Sequence, residues 1–175
     1  MSFKYDQLYS EHRHALGDQT PEIITAFDTL GDGLEILDVG CGQGRDALPL
    51  ARLGHKVHAF DLSAAGIAQL QEEADAEGLS VFATVADLLT FSPSGTYDVV
   101  LIDRTLHMLD ATDRIDVLRR LVAALNEGGY LFIADEPSNL PAFRKELAQS
   151  ERDWHVIKDK GQYLFLHDQG RKDRR

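Results

Sequence analysis

The stretch Ile36-Leu37-Asp38-Val39-Gly40-Cys41-Gly42-Gln43-Gly44-Arg45 constrains the fold of this 175-residue chain more than any other. An apolar run with β-branched residues meets an acid, breaks into glycines at alternate positions, and restarts as a helix near Asp46. That pattern predicts a buried strand, a tight turn and a helix N-terminus. Glycines let a ligand lie directly against the main chain, so the turn reads as a cradle for a nucleotide-like cofactor.

Spacing and charge narrow the choice of cofactor. Dinucleotide fingerprints run G-x-G-x-x-G, with the pyrophosphate resting on the helix N-terminus. Here the spacing is G-x-G-x-G, and Arg45 stands where the third glycine should fall. Asp38, two residues before the first glycine, would oppose a pyrophosphate but suits an ammonium group. S-adenosylmethionine (SAM) carries an ammonium and no phosphate, so the turn predicts a SAM cradle. Cys41, the single cysteine, reads as a small apolar filler rather than a reactive thiol.

Along the chain, residues 1–19 are polar and aromatic with no sustained periodicity, and Thr20-Pro21 opens a helix over Glu22 to Leu30. Strands are expected at Glu35–Val39, Lys56–Phe60, Ser80–Val85, Asp98–Ile102 and Tyr130–Ala134. Helices alternate with them: one after the glycine turn that must start near Arg45 or Asp46 or bend at Pro49, one capped by Ser63 and closed by Gly78, and one over Asp110 to Asn126. A helix to about Gln149 precedes a closing antiparallel hairpin, Trp154–Lys158 with Gln162–His167. Strand–helix alternation predicts a doubly wound α/β fold with ligands at the carboxyl ends of the strands. Asp38, Asp61, Asp87, Asp103 and Asp135-Glu136 all fall at strand ends, and two or three of them are expected to touch ligand.

Size and composition fit one soluble domain, long enough to bury about two-thirds of its unfolded surface. A net charge of −11 discourages a phosphate-backbone footprint, so nucleic acid is not the expected partner. The C-terminal Arg171-Lys172-Asp173-Arg174-Arg175 is basic and reads as a solvated, frayed end. No apolar run approaches the ~18 residues of a membrane span, no h-region opens the chain, and a lone cysteine suits a reducing compartment. The expectation is a cytoplasmic protein that is neither membrane-bound nor metal-binding, with residues 1–19 as an N-terminal segment, 20–168 as the domain and 169–175 as a disordered basic tail.

These motifs resemble the class I SAM-dependent methyltransferases over roughly residues 20–167. Asp38-Val39-Gly40-Cys41-Gly42-Gln43-Gly44 is similar to the family's first motif, Val57-His58-Ala59-Phe60-Asp61 to the second, and Ala86-Asp87-Leu88 to the third. Tyr97-Asp98-Val99-Val100-Leu101-Ile102 is similar to the fourth, and Gly128-Gly129-Tyr130-Leu131-Phe132 to the entry into strand five. The resemblance implies a seven-stranded, mostly parallel sheet closed by an antiparallel C-terminal hairpin. It also implies Asp61 on the ribose hydroxyls and Asp87 near the adenine. Cofactor-side candidates are Asp38, Gly40, Cys41, Gly42, Gly44, Arg45, Asp61, Leu62, Ala86, Asp87, Leu88 and Asp103. The run from Gly42 through Gly54 looks most like the bacterial tellurite-resistance and thiopurine-type branch, which acts on small polarisable acceptors; the chain departs from it at Asp103-Arg104-Thr105-Leu106-His107.

The residues themselves suggest roles. Methyl transfer from a sulfonium is an in-line displacement, so the enzyme mostly holds acceptor and methyl about 3–3.5 Å apart and excludes water. His107, just past strand four, is the candidate base if the acceptor must lose a proton; the alternative is a packing turn. Arg104 either holds an anionic acceptor or pairs with a rim carboxylate. Tyr5, Tyr9 and His12 form a lid or a frayed end. With no inserted cap, the pocket implies a small acceptor, closure by the N-terminal segment, or a partner subunit such as a second copy of the chain. The leading reading is a SAM-dependent methyltransferase of a small molecule, yielding S-adenosylhomocysteine. An NAD-type oxidoreductase and a non-catalytic SAM-binding module are the alternatives.

Overall fold

The computed structural model describes residues 2–171, with side chains from residue 5 onward. Seven strands form one sheet in the order β3-β2-β1-β4-β5-β7-β6, where β1 is Glu35–Val39, β2 Lys56–Asp61, β3 Val81–Val85, β4 Tyr97–Asp103, β5 Leu125–Ala134, β6 Arg152–Lys160 and β7 Tyr163–Arg171. Pairing is parallel for β1–β2, β2–β3 and β4–β5, and antiparallel where β7 meets β5 and β6. This is the doubly wound fold expected from the alternation of strands and helices. The chain divides into two compact units, Met1–Phe91 and Ser92–Arg175, and the boundary falls at the Ser92-Pro93-Ser94-Gly95 loop.

In the first unit, α1 (Ser2–Glu11) and α2 (Pro21–Phe27) precede β1, α3 (Ala47–Arg52) links β1 to β2, and α4 (Ala64–Glu77) links β2 to β3. Residues 2–11 had no sequence periodicity, yet they form a helix, because tertiary hydrogen bonds onto α4 supply what the local pattern lacks. Pro49 is accommodated because α3 starts at Ala47, which leaves proline in the first turn where no intrahelical N–H is required. Ser63 caps α4 by accepting from Gly66 N–H at 3.0 Å, and Gly78 closes it in the left-handed conformation. Ile36, Val39, Val57 and Leu70 are fully buried here.

In the second unit, α5 (Ala111–Ala123) and α6 (Leu140–Gln149) accompany β4 to β7. Several boundaries differ from the expectation, most of all at the junction of α5 and β5. Helix α5 stops at Ala123 rather than Asn126, and β5 begins at Leu125. Tyr97 N–H takes the Ala124 carbonyl at 2.9 Å, pairing β4 with Leu125, and the Arg152 guanidinium donates to the carbonyls of Val122, Leu125 and Asn126, collecting groups a continuing helix would have bonded itself. The closing hairpin is also longer, and β7 runs through Gln169-Gly170-Arg171, residues assigned from sequence to the tail. The Arg152–Asp168 ion pair, with Asp168 1% exposed, pins that extension, and Asp168 also accepts from Gly170 N–H. The rest of the basic tail, 172–175, lies outside the described residues. Among the described residues, no helix is long and apolar enough to cross a membrane.

Candidate functional site

The glycine turn of the first unit is built as the sequence anticipates. Val39 ends β1; Gly40 N–H and Cys41 N–H both donate to the Phe60 carbonyl, at 2.9 and 3.0 Å, tying the turn to β2. Gly42 and Gly44 have φ of +54° and +84°, a region other residues enter only with strain. Asp61, ending β2, accepts from Gly42 N–H at 2.9 Å through one oxygen and from Ser63 N–H at 2.8 Å through the other. A carboxylate has about four lone-pair sites, so both oxygens retain acceptor capacity.

Charge around the turn is negative. Asp38 is 3% exposed on β1. Burial first, then the charges of Asp38 and Asp61, push the Cys41 thiol well above its ordinary range, so it remains a neutral, buried filler. A site where two carboxylates converge on bare main chain repels a pyrophosphate and suits an ammonium with hydroxyl donors. Arg45 does not reverse this sign, since its guanidinium pairs with Asp46 at 3.5 Å.

The N-terminal segment is drawn onto this turn by residues that sequence reasoning missed. Asp6 accepts from Ser63 Oγ and Ala65 N–H at 2.7 and 3.0 Å, docking α1 on the start of α4. Gln69 donates to the Tyr9 carbonyl, while Gln43 donates to the His12 carbonyl and accepts from Ala15 N–H. Tyr9 is buried, with its ring 6.0 Å from that of Tyr5. A β-carbon added at Gly42 would lie 2.8 Å from Tyr9 Oη, so the tyrosine sits on the bare turn. Burial, then the Asp61 charge, push the Tyr9 hydroxyl upward, keeping it a neutral donor. Of the three lid candidates only Tyr9 is buried on the turn: Tyr5 is exposed beside it, and His12 is exposed with its carbonyl bonded to Gln43. Amides scattered in a polar segment leave no pattern; only the proximity of Gln43 to the glycines hinted at a role.

The remaining cofactor-side candidates are partly gathered. Leu62 follows Asp61 and is exposed, and Ala86 N–H donates to the Asp61 carbonyl at 2.9 Å, bringing the ends of β2 and β3 together. Asp87 caps its own turn by accepting from Leu89 N–H at 2.9 Å, and Leu88 lies in that turn, half-buried. Asp103, Arg104 and His107 belong to the second unit. Asp103 ends β4, buried, with Arg104 Nε 3.6 Å away. Arg104 has φ of +52°, costing about 1–2 kcal/mol for a residue with a β-carbon, and its side chain is 55% exposed. A 3-10 turn over Leu106–Met108 follows and carries His107, half-buried, with Nδ1 buried and without a hydrogen-bond partner among the described residues.

Residues 36–129 match the family model described as "Methyltransferase domain". The probable S-adenosyl-L-methionine-dependent methyltransferase TehB of Haemophilus influenzae is 29% identical over 133 residues, 70% of this chain and 46% of that protein. A ubiquinone biosynthesis O-methyltransferase of Methylocella silvestris is 34% identical over 122 residues, 69% of this chain and 46% of that one. The chain thus spans about half the length of the curated relatives it matches. The solved TehB-like SAM-dependent methyltransferase of Corynebacterium glutamicum shares the fold over 97% of this chain and 98% of its own, with a TM-score of 0.74 at 21% identity. With its motifs, its sheet order and its glycine turn in agreement, this chain belongs to the methyltransferase-domain family, as a class I SAM-dependent member near the TehB branch.

Proposed function

We propose that the protein transfers a methyl group from SAM to a small-molecule acceptor. The observation that carries this reading is the pair of carboxylates at the glycine turn: Asp38, buried on the strand that leads into it, and Asp61, which accepts from Gly42 N–H at 2.9 Å. The names of the relatives, a SAM-dependent methyltransferase and an O-methyltransferase, support it. The residues fit the cofactor: Asp38 supplies the charge an amino-acid ammonium needs, Asp61 keeps lone pairs for ribose hydroxyls, and the turn carries no β-carbon at Gly40, Gly42 or Gly44. Leu62 and Leu88 offer apolar surface, and Asp87 an acceptor for an adenine amine. When bound, SAM supplies an electrophilic methyl on a sulfonium.

The chain's own residues do the rest. Tyr9, on a helix docked by Asp6 and Gln69, forms with Tyr5 beside it a lid that excludes water from the turn. His107 receives the proton an acceptor hydroxyl or thiol gives up, and Arg104 holds an anionic group on that acceptor. The acidic balance of the chain argues against nucleic acid as acceptor.

Calorimetry with S-adenosylhomocysteine, NAD and NADP tests the cofactor: binding of the homocysteine derivative alone is expected, and binding of NAD alone would overturn the reading. Incubation with methyl-labelled SAM and catechol, benzenethiol or benzylamine tests transfer. Labelled product is expected from a hydroxyl or thiol acceptor, and cofactor binding with no product across such a panel would leave a binding module instead. His107→Ala should lower kcat and leave affinity for S-adenosylhomocysteine unchanged.

A further inference from the structure

The turn that carries His107 is gripped by a closed ring of hydrogen bonds inside the second unit. Arg114, on α5, donates from Nε to the Leu106 carbonyl at 3.0 Å and from Nη2 to the Leu109 carbonyl at 2.7 Å. Its Nη1 donates to Asn139 Oδ1. Asn139 Nδ2 in turn donates to Asp135 Oδ1 at 2.6 Å, and Asp135 Oδ2 accepts from the His107 backbone N–H at 3.1 Å. The ring therefore holds both the carbonyls and the amide of the 106–109 segment. Asp135 is 2% exposed and Asn139 is buried, so water competes little for these bonds.

This is more restraint than a connecting turn requires. A turn after a strand is ordinarily satisfied by one capping side chain or by water. Here Arg114, from α5, and Asp135, just past β5, hold one six-residue segment, 104–109, and Asn139, just before α6, links the two; the first residue of the segment, Arg104, sits in a strained conformation. Strain of that kind persists only where the surroundings over-determine it. His107 Nδ1 has no hydrogen-bond partner among the described residues, although the main chain of His107 is held on both sides. A fixed main chain beneath a half-buried ring, just past the carboxyl end of β4, is the restraint a proton acceptor needs. Misplacement by about 1 Å can cost a factor of 10² in rate.

We propose that Arg114, acting through Asn139 and Asp135, is a positioning residue that sets the imidazole of His107 against the acceptor. The inference rests on the methyl-transfer reading, in which His107 takes the acceptor proton. Two measurements on the full chain test it, and only one needs turnover. The ring signals of the seven histidines are recorded by carbon–proton NMR, with His107 identified by its loss in His107→Ala. Arg114→Lys keeps the charge but loses the planar fork, and Asn139→Ala opens the ring while leaving both turn carbonyls bonded. Each is expected to shift or broaden the His107 signal. Arg119→Lys, on the same helix but paired with Glu146 at the surface, is expected to leave it in place.

For any of catechol, benzenethiol or benzylamine that the wild-type protein methylates, Arg114→Lys should lower kcat about 10–100-fold, with KM for SAM held within about two-fold. Adding His107→Ala to Arg114→Lys should then cost no more than His107→Ala alone, because both act through one nitrogen. An unmoved His107 signal in both ring variants, or losses that multiply, would overturn the proposal. Should wild-type protein bind no S-adenosylhomocysteine, the methyl-transfer reading fails, and the NMR comparison still decides whether Arg114 positions the ring.

Discussion

Two turns at strand ends are shaped in opposite ways. The Gly40–Gly44 turn of the first unit is defined by missing side chains, with carboxylates set at its edge and Tyr9 laid over it. The Arg104–Leu109 turn of the second unit is defined by side chains brought in from elsewhere, which grip its carbonyls and one amide. On the proposed reading, a cradle that touches a cofactor with main chain does so at residues without β-carbons. A turn meant to aim one side chain must instead be immobilised from behind. The comparison predicts that damage to the first shows chiefly in binding, and damage to the second chiefly in stability and turnover.

The largest effect should come from the second turn. Asp135→Ala leaves the His107 and Glu136 amides and the Asn139 amide group without their buried acceptor, and should cost about 3 kcal/mol or more in urea unfolding. Asp153→Ala, on an exposed stretch of β6, should stay within about 0.5 kcal/mol. Equal losses for the two would deny the ring any special standing.

Gly66→Ala probes the first turn through packing. Alanine within a helix ordinarily gains about 1 kcal/mol over glycine. Here the added β-carbon would meet the Gly42 carbonyl oxygen at 2.8 Å and Tyr9 Cδ2 at 3.0 Å. A net loss of about 1–2 kcal/mol is expected, with weaker binding of S-adenosylhomocysteine. Gly95→Ala, with nothing within 4 Å of its added carbon, is the comparison and should be neutral. A stabilised Gly66→Ala protein would show that α4 and the turn are not in close register.

Asp38→Ala and Asp61→Ala should each weaken S-adenosylhomocysteine binding by about 1–3 kcal/mol in calorimetry. Asp61→Ala should also lower stability, since Asp61 bonds both the turn and the Ser63 amide. Unchanged affinity in both would separate this turn from cofactor binding altogether.

The smallest effect concerns the hold on α1. The Ala65 N–H, then the Ser63 hydroxyl, keep the Asp6 carboxyl below the usual carboxylate range. A carboxyl with a lowered folded pKa stabilises fully above its unfolded value of about 3.9, and that contribution fades as pH falls through the folded value. Amide signals of α1 should therefore stay native at pH ~5 and shift only in more acidic solution. Asp6→Asn should remove this pH dependence; if it persists, another group holds the helix.

Much of the fold was legible because it is written in short-range patterns. The extent of β1, the Ser63 cap and the Gly78 stop of α4 all stand where spacing and residue type put them, since each depends on neighbours a few positions away. Helix α1 and the ring around the second turn were not legible. They rest on pairs far apart in the chain, such as Asp6 with Ala65 and Arg114 with Asn139, and no periodicity encodes such a meeting. His12 shows the converse, a chemically attractive residue whose ring the fold leaves outside.

The amino-acid order by itself determined an α/β sheet with a glycine turn framed by acids, because main-chain freedom and charge are local properties of residue type. Only the tertiary structure decided that Tyr9 lies on that turn, and that Arg114, Asn139 and Asp135 hold the segment bearing His107. The physical reason is that buried hydrogen bonds between distant residues form only once packing has excluded water and set their partners within about 3 Å.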